Sequence, residues 1–508
     1  MGRIGLRTST RLAALAPVIG LAAAVTTVPA LGQTGDIGRI NHVVVIYQEN
    51  WSFDSLYGHF PGAHGLAEAG AITQLKLDGT PFTANPQAID NNAKPAKPDA
   101  RIPASLPVRP FDLTQYISPN GITGDIVHRY YQEQYQIDGG KNDRFLAGSD
   151  NPGLVLSYYD ASTMPEGNLA KQYVMADNFF HSAFGGSFLN HQWLICACTP
   201  TWDTTAKPVP AAKRTMLDAN GLPTSAGDGF ITASPDNFVV NTAYSVNTPH
   251  PKSADPSVLV PNLTAPTIGD RLSAKGVGWT WFSGGWDQAL IGNADPNFQY
   301  HHQPFAFYAN FADGTAAKAA HLKDENIFFS EVAEGTLPAV SFIKPLGPDN
   351  EHPGYATLLQ GQQHVARIVR AIQNSSAWKD TAIVLTYDEN GGRWDHVAPP
   401  KGDKWGPGVR VPTIIISPYA RKGYVDHTQY ETVSILKFIE KRWSLQPLGT
   451  RDAAANDLTN AFDFTQSASN ASATSGSNGP LMALAVVVVV LLAIAVGFVL
   501  LRRPRQQA

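Results

Sequence analysis

A carboxylate and an amide, Glu49 and Asn50, stand side by side just past the apolar run Val43–Tyr47, with Ser52 and Asp54 beyond them. Ser52 and Asp54 read as the cap and first turn of a helix, which leaves Glu49 and Asn50 without a structural task. A second exit of this kind follows the apolar stretch Ala382–Tyr387: "LTYDENGGRWDH" presents Asp388 and Glu389, turns at Gly391 and Gly392, and reaches Asp395 and His396. If the two strands are neighbours, three carboxylates share one hollow, where they repel and raise one another's pKa values. A divalent cation resolves that conflict, and oxygen ligands suit a hard or borderline ion. Unrelated loop acids are the plainer alternative.

A third segment, "ADNFFHSAFGGSFLNHQWL", sets Gly185 and Gly186 before Ser187, with Asn190 and His191 three and four residues on. If a helix starts there, Ser187 is either its cap or a hydroxyl at an anion-attracting N-terminus. Beside a metal such a hydroxyl becomes a nucleophile. Histidines supply further candidates: His128 in "GDIVHRYY", the adjacent His301 and His302, and His352 in "DNEHPGY". Most of the fourteen histidines, His59 and His64 included, read as ordinary surface or core imidazoles. Lys141 in "DGGKNDRF" is a surface lysine or a substrate contact.

These residues need a frame. Short apolar runs at Val43–Tyr47, Gly278–Phe282, Val340–Ile343, Ala382–Tyr387 and Pro412–Ser417 predict buried strands. Between them lie helical patterns: Val365, Ile368, Val369 and Ile372 fall on one face, and "TVSILKFIEKRW" repeats the spacing. The alternation predicts an α/β fold, a mostly parallel sheet flanked by helices on both faces, with ligands at the carboxyl ends of the strands. The spans 77–109 and 199–266 read as long surface insertions, and no boundary divides the body.

Composition bounds the rest. The 508 residues carry a formal net charge of -4, which gives no reason to expect nucleic acid as a partner. Charged residues are 16% and aromatics 10%, with 44 glycines and 37 prolines, which suits a globular body with long ordered loops. Arg3, Arg7 and Arg11 precede the largely apolar Leu12–Leu31, the pattern of a signal peptide over 1–32, with cleavage after Ala30 or Gly32. A catalytic body over 33–465 and a Ser/Gly-rich linker over 466–480 lead to the uncharged run Leu481–Leu501, long enough for a membrane span. The basic tail 502–508, with Arg502, Arg503 and Arg505, is expected to stay cytoplasmic. The expected localisation is therefore a single-pass protein of the cell membrane, its body on the extracytoplasmic side and its C-terminal helix the membrane contact. Cys196 and Cys198, in "CAC", are either a disulfide or two buried thiols.

The strings "QENWSFDSLYG", "NEHPGY", "YDENGGRWDHV" and "GVRVPTIIISPYARKG", in this order, resemble the bacterial phosphoesterase family. That family contains secreted phospholipases C and a broad-specificity acid phosphatase and is related in fold to alkaline phosphatase. The resemblance covers roughly Ile40 to Leu448. "GGSFLNH" and the paired histidines look more like the acid-phosphatase branch, since threonine often takes the nucleophile position in the phospholipases. The resemblance implies Ser187 as the nucleophile, and Glu49, Asn50, Asp388, Glu389 and Ser187 as ligands of one divalent metal ion. It implies that His301, His302 and His352 act on the leaving group or the phosphate oxygens, with His128 and Asn190, and Lys141 beside them, on the substrate. Asp395 and His396 stand behind the ligands. Trp51 departs from the pattern, which most often has arginine there; this bears on substrate choice and leaves the metal ligands intact.

The expected function is metal-dependent hydrolysis of phosphate monoesters through a phosphoserine, with activity favouring acidic pH if the histidines are cationic. The alternative is a phospholipase C acting on phosphatidylcholine-like lipids, so the expected partners are small phosphate esters or phospholipid head groups. A glycoside hydrolase using Glu49 and Asp388 would need neither metal nor Ser187 and is separated by chelation. A phosphate-binding receptor is separated by vanadate-sensitive turnover.

Overall fold

Five runs of apolar residues end up side by side, because each is buried on both faces and has nowhere else to satisfy its backbone. In the computed structural model, which describes residues 36–224 and 232–467, the main sheet has eight strands. In chain order they are β1 (His42–Gln48), β2 (Val174–Ala176), β3 (Trp279–Ser283), β4 (Leu322–Asp324), β5 (Val340–Lys344), β6 (Thr381–Tyr387), β7 (Thr413–Ile416) and β8 (Tyr424–Asp426). Across the sheet the order is β8-β2-β7-β6-β1-β5-β3-β4. Only β7 runs against the rest, since it pairs antiparallel with both β6 and β2 while every other pairing is parallel. This is the expected α/β architecture with a mostly parallel sheet flanked by helices.

The five strands read from the sequence appear within a residue or two of their expected ends. The edge strands β4 and β8 and the inner β2 escaped, because three residues are too few for a period to emerge.

Three helices matter to the site. α1 (Ser187–Cys196) is buried along its whole length, so it carries no polar face and no amphipathic signature. α2 (Leu358–Gln373) is capped by the Thr357 side chain, which accepts from Gln360 N–H, and buries Val365, Ile368, Val369 and Ile372. α3 (Thr432–Trp443) buries Val433, Leu436 and Ile439 and ends on Lys441 and Arg442, which suit the negative end of its dipole. Directly after α1, Cys196 and Cys198 are joined in a disulfide.

The expected single-pass membrane localisation is corrected here. Among the described residues no helix is long and apolar enough to cross a membrane. The longest, α2, has 16 residues, about 24 Å at 1.5 Å per residue against roughly 30 Å of hydrocarbon. Its apolar side is spent on the protein core. Leu481–Leu501, the leader, the basic tail and most of the linker lie outside the described residues, and neither membrane placement nor a C-terminal anchor is carried forward.

Candidate active site

The parallel register of β1 and β6 pairs Gln48 with Tyr387, so the next residues of both strands, Glu49 and Asp388, leave the sheet together. Backbone bonds fix both exits: Asp388 N–H donates to Gln48 O at 3.1 Å and Glu49 N–H to Asn350 O at 2.9 Å. On the other flank of β1, Ile46 pairs with Ile343 of β5, so Lys344 arrives level with Tyr47. Gly391, at φ +61°, then brings its backbone so close to Asn50 O that a Cβ would sit 2.3 Å from it. The "ENGG" turn therefore closes onto the Glu49–Asn50 turn only with glycine there.

Ser187 comes from a different direction. Gly185, at φ +87°, leads into α1, and a Cβ there would meet Tyr130 N at 2.2 Å. The Asn190 side chain fastens this loop, accepting from Ala183 N–H at 3.0 Å and donating to Ala183 O and Gly185 O at 3.0 and 3.1 Å. The result sets the Ser187 side chain beside Asp388, close enough to favour the charged form of that carboxyl. His191, one turn along α1, has its Nδ1 2.7 Å from Ser187 O and 3.7 Å from Asp388 Oδ2.

Around these residues lies a cavity of about 270 Å³. Glu49, Ser187, His128, His301, His302 and His352 all line it, along with Asp125, Arg129 and Tyr355. His302 Nε2 contacts Glu49 Oε1, His352 Nε2 lies 3.7 Å from Glu49 Oε2, and His128 Nε2 lies 3.6 Å from Glu389 Oε1. The His191 and His302 rings stack with centroids 5.2 Å apart.

Of the residues singled out in the sequence, the structure gathers Glu49, Asn50, Ser187, Asp388, Glu389, His128, His301, His302 and His352. Two fall elsewhere. Lys141 pairs with Asp138 at 2.6 Å and its side chain is 66% exposed, because the left-handed Asp138 and Gly139 turn it outward. Asn190 is buried and spends its amide on the nucleophile loop, so it shapes the site rather than facing a substrate. Asp395 and His396 lie behind the ligands: Arg410 donates to Asp395 Oδ1 at 2.9 Å and to Asp54 Oδ1 at 3.0 Å, and Asp54 holds the His396 ring at 2.7 Å. Trp51 is buried, donates from its indole N–H to Glu351 O at 3.1 Å, and stacks under Arg393 at 3.9 Å. It does not line the cavity.

Sequence reasoning missed Lys344 and left His191 without a role. Lys344 is fully buried, with Nζ 2.6 Å from Glu49 Oε1 and 4.0 Å from Asp388 Oδ2. The available signal was a lysine ending an otherwise apolar strand.

The charges follow from burial. Burial alone would raise Glu49, but His302 and the Lys344 ammonium beside it outweigh that and hold its carboxyl well below the usual range. Asp388 is pushed well above the usual range by burial, against the pull of Lys344. Glu389 is raised by burial and by Asp388 next to it. Burial brings His302 down to about 4 and lowers His128, His191 and His301 too. These four imidazoles are thus neutral near neutral pH. This works against an acid optimum driven by imidazolium at these four positions, and Lys344 Nζ is the amine set against Glu49.

Several buried atoms here have no hydrogen-bond partner: Glu49 Oε2, Asn50 Oδ1, Asp388 Oδ2 and His191 Nε2, while Glu49 Oε1 meets Lys344 and His302. Glu49, His191 and His302 offer ligand atoms within 4.8 Å of one another. Orphaned acceptors of this kind are costly unless a cation completes them, so the residues fit a divalent ion. Glu389 is the exception among the expected ligands, since its oxygens already accept from the Asn50 amide and from Gly391 N–H.

Beneath the site Tyr387 Oη lies 2.6 Å from Glu351 and 3.0 Å from Glu166, and Gln48 donates to Glu351 at 2.8 Å. Burial pushes Glu166 up to about 7. A carboxyl raised in the folded state binds a proton that the unfolded chain has released, so stability falls as pH rises from about 4.3 toward that value. Glu166→Gln is expected to remove most of this slope, on the order of 2–3 kcal/mol. Melting temperatures of both proteins between pH 5 and pH 8 check it; parallel curves would show that Glu166 ionises freely.

A family model described as the phosphoesterase family matches residues 40–446. The chain belongs to the phosphoesterase family. Among curated relatives in that family, the non-hemolytic phospholipase C of Pseudomonas aeruginosa is 26% identical, covering 87% of this chain and 60% of its own. The hemolytic phospholipase C of the same organism is 25% identical over 85% of this chain and 57% of its own. Phospholipase C B of Mycobacterium tuberculosis is 25% identical over 85% and 79% respectively. The chain thus spans about 60% of the length of the first relatives it matches. A solved protein in the alkaline phosphatase superfamily from Vibrio parahaemolyticus, 10% identical, covers 68% of this chain and 75% of its own with a TM-score of 0.31, a likeness too low to carry weight.

Proposed function

We propose that this phosphoesterase hydrolyses phosphodiesters of the phospholipase C type, with Ser187 as its nucleophile and one divalent metal ion at Glu49, Asn50 and Asp388. The phospholipase C relatives support the lipid substrate over the phosphate monoesters expected first. The observation that carries the chemistry is the Ser187 side chain at the wall of the cavity, set beside Asp388.

In its carboxylate form Asp388 takes the Ser187 proton as the serine oxygen bonds to phosphorus; the bond to the alcohol oxygen breaks, and that oxygen takes up a proton from water. Water then cleaves the phosphoserine and frees Ser187. The neutral imidazoles of His301, His302 and His128 offer N–H donors to phosphate oxygens without adding charge. Lys344 offsets the negative charge of Glu49 throughout. A bound divalent ion would supply further neutralisation of the serine and phosphate oxygens, with His191 available as a nitrogen ligand.

The monoester reading keeps one observation in its favour: a cavity of about 270 Å³ walled by acids and imidazoles is a compact polar hollow. The deciding experiment assays purified protein side by side on phosphatidylcholine vesicles and on p-nitrophenyl phosphate. Higher kcat/KM on the vesicles supports the lipid assignment; turnover confined to the monoester rejects it. Chelation is expected to lower either activity at least about tenfold and added divalent metal to restore it. Full activity after exhaustive chelation would remove the metal from the proposal.

A further inference from the structure

A second cluster of ligating side chains lies at the sheet edge, apart from the cavity. β2 and β8 run parallel with Ala176 opposite Asp426, so the next residues, Asp177 and His427, leave the sheet side by side. His427 Nδ1 lies 3.0 and 2.8 Å from the two Asp177 oxygens. His64 arrives from the loop after the short helix Phe53–Tyr57, its N–H donating to Asp177 Oδ2 at 2.8 Å and its Nδ1 4.0 Å from that oxygen. The two imidazole rings stack, with centroids 4.5 Å apart. None of the three residues lines the catalytic cavity.

We propose that His64, Asp177 and His427 form a separate site for a divalent transition metal ion of the zinc class. The three offer one ligand atom each within 4.8 Å of one another. Tetrahedral zinc with bonds of about 2.0–2.2 Å sets its ligand atoms roughly 3.4 Å apart. The present spacings straddle that value, so a small rotation of each ring closes the site. Two imidazoles and one carboxylate select a borderline ion over magnesium or calcium.

The backbone behind the ligands is already held. Arg410 donates to His64 O at 2.8 Å and to Asp177 O at 2.7 Å, and its charge is met by Asp54 and Asp395. Asp177 is fully buried, while the His64 and His427 side chains are 52% and 48% exposed. The open side leaves room for water as a fourth ligand. An ion here would tie the edge strands to the loop that Arg410 shares with the catalytic shell.

The test compares wild-type protein with His64→Ala/His427→Ala after equilibration with Zn2+ and dialysis. Elemental analysis is expected to show one zinc equivalent fewer in the variant, with phosphoester turnover retained. Co2+ loading should show the matching loss of ligand-field absorption in the visible. Equal zinc content in both proteins would overturn the proposal, as would an extra equivalent taken up equally well from Mg2+. Should the double variant fail to fold, His64→Gln alone removes one ligand and keeps the backbone N–H to Asp177. It is expected to weaken zinc binding at this site at least about tenfold and to shrink the zinc-induced rise in melting temperature; an unchanged rise refutes the site.

Discussion

Ser187→Ala is expected to melt at the wild-type temperature and to lose phosphoester hydrolysis by about a thousandfold or more. The stability half follows from position. Ser187 is the first residue of α1, Gly186 occupies the cap, and the Ser187 side chain does not cap the helix, so deleting the hydroxyl removes neither cap nor core volume. Asp388 keeps its backbone donor, the Glu389 N–H at 2.8 Å. The activity half follows because Ser187 is the hydroxyl that the nucleophile loop brings to the cavity wall beside Asp388. Ser187→Thr keeps a hydroxyl at that point and is expected to retain a measurable fraction of turnover. Hydrolysis of phosphatidylcholine and of p-nitrophenyl phosphate, with melting temperatures alongside, reads all three proteins. Wild-type rates in the alanine variant would end the nucleophile assignment.

The second large effect concerns stability. Lys344→Met is expected to destabilise the metal-free protein by about 3–5 kcal/mol, the usual consequence of removing one partner from a buried ion pair. Methionine matches the length of the lysine stem, so the loss is electrostatic rather than a cavity. Glu49 is left fully buried with only imidazole contacts at its carboxyl oxygens, and its pKa is expected to climb as the ammonium that helped depress it disappears. Urea denaturation in the presence of a chelator measures the loss. Repeating it with a saturating divalent ion should recover part of it, because the ion takes over the neutralisation. An unchanged midpoint in the chelated variant would mean that Lys344 does not bear on Glu49.

Much of this was legible in the sequence, for a physical reason. Val43–Tyr47 and Ala382–Tyr387 are apolar on both faces, so polar residues directly after them mark strand exits, and exits of a parallel sheet are where ligands gather. Glu49 and Asp388 could therefore be picked out one at a time. That they stand together depends on a register between residues 339 apart, which no local pattern encodes and which the family resemblance supplied. Lys344 escaped because a charged residue closing an apolar run reads as the strand's first solvated position, whereas here it is fully buried. Asn190 was given to the substrate because its place one turn after Ser187 suits that as well as it suits the loop it fastens. Lys141 failed for a similar reason: four positive-φ residues around it, Asp138, Gly139, Gly140 and Asn142, decide where it points.

The position of β1 carries a consequence for how this chain matures. Of the eight described strands of this sheet β1 comes first in the chain, yet it sits in the middle, between β5 and β6. Until Val340–Lys344 and Thr381–Tyr387 have followed it out, a strongly hydrophobic segment waits with both hydrogen-bonding edges open, a standing invitation to aggregate. Its partners come from far along the chain, so folding is expected to be slow and to benefit from a holdase that shields the nascent N-terminal region. The same order of events is a safeguard, since Glu49 meets neither Lys344 nor Asp388 before most of the polypeptide exists, and a prematurely terminated product is born inert.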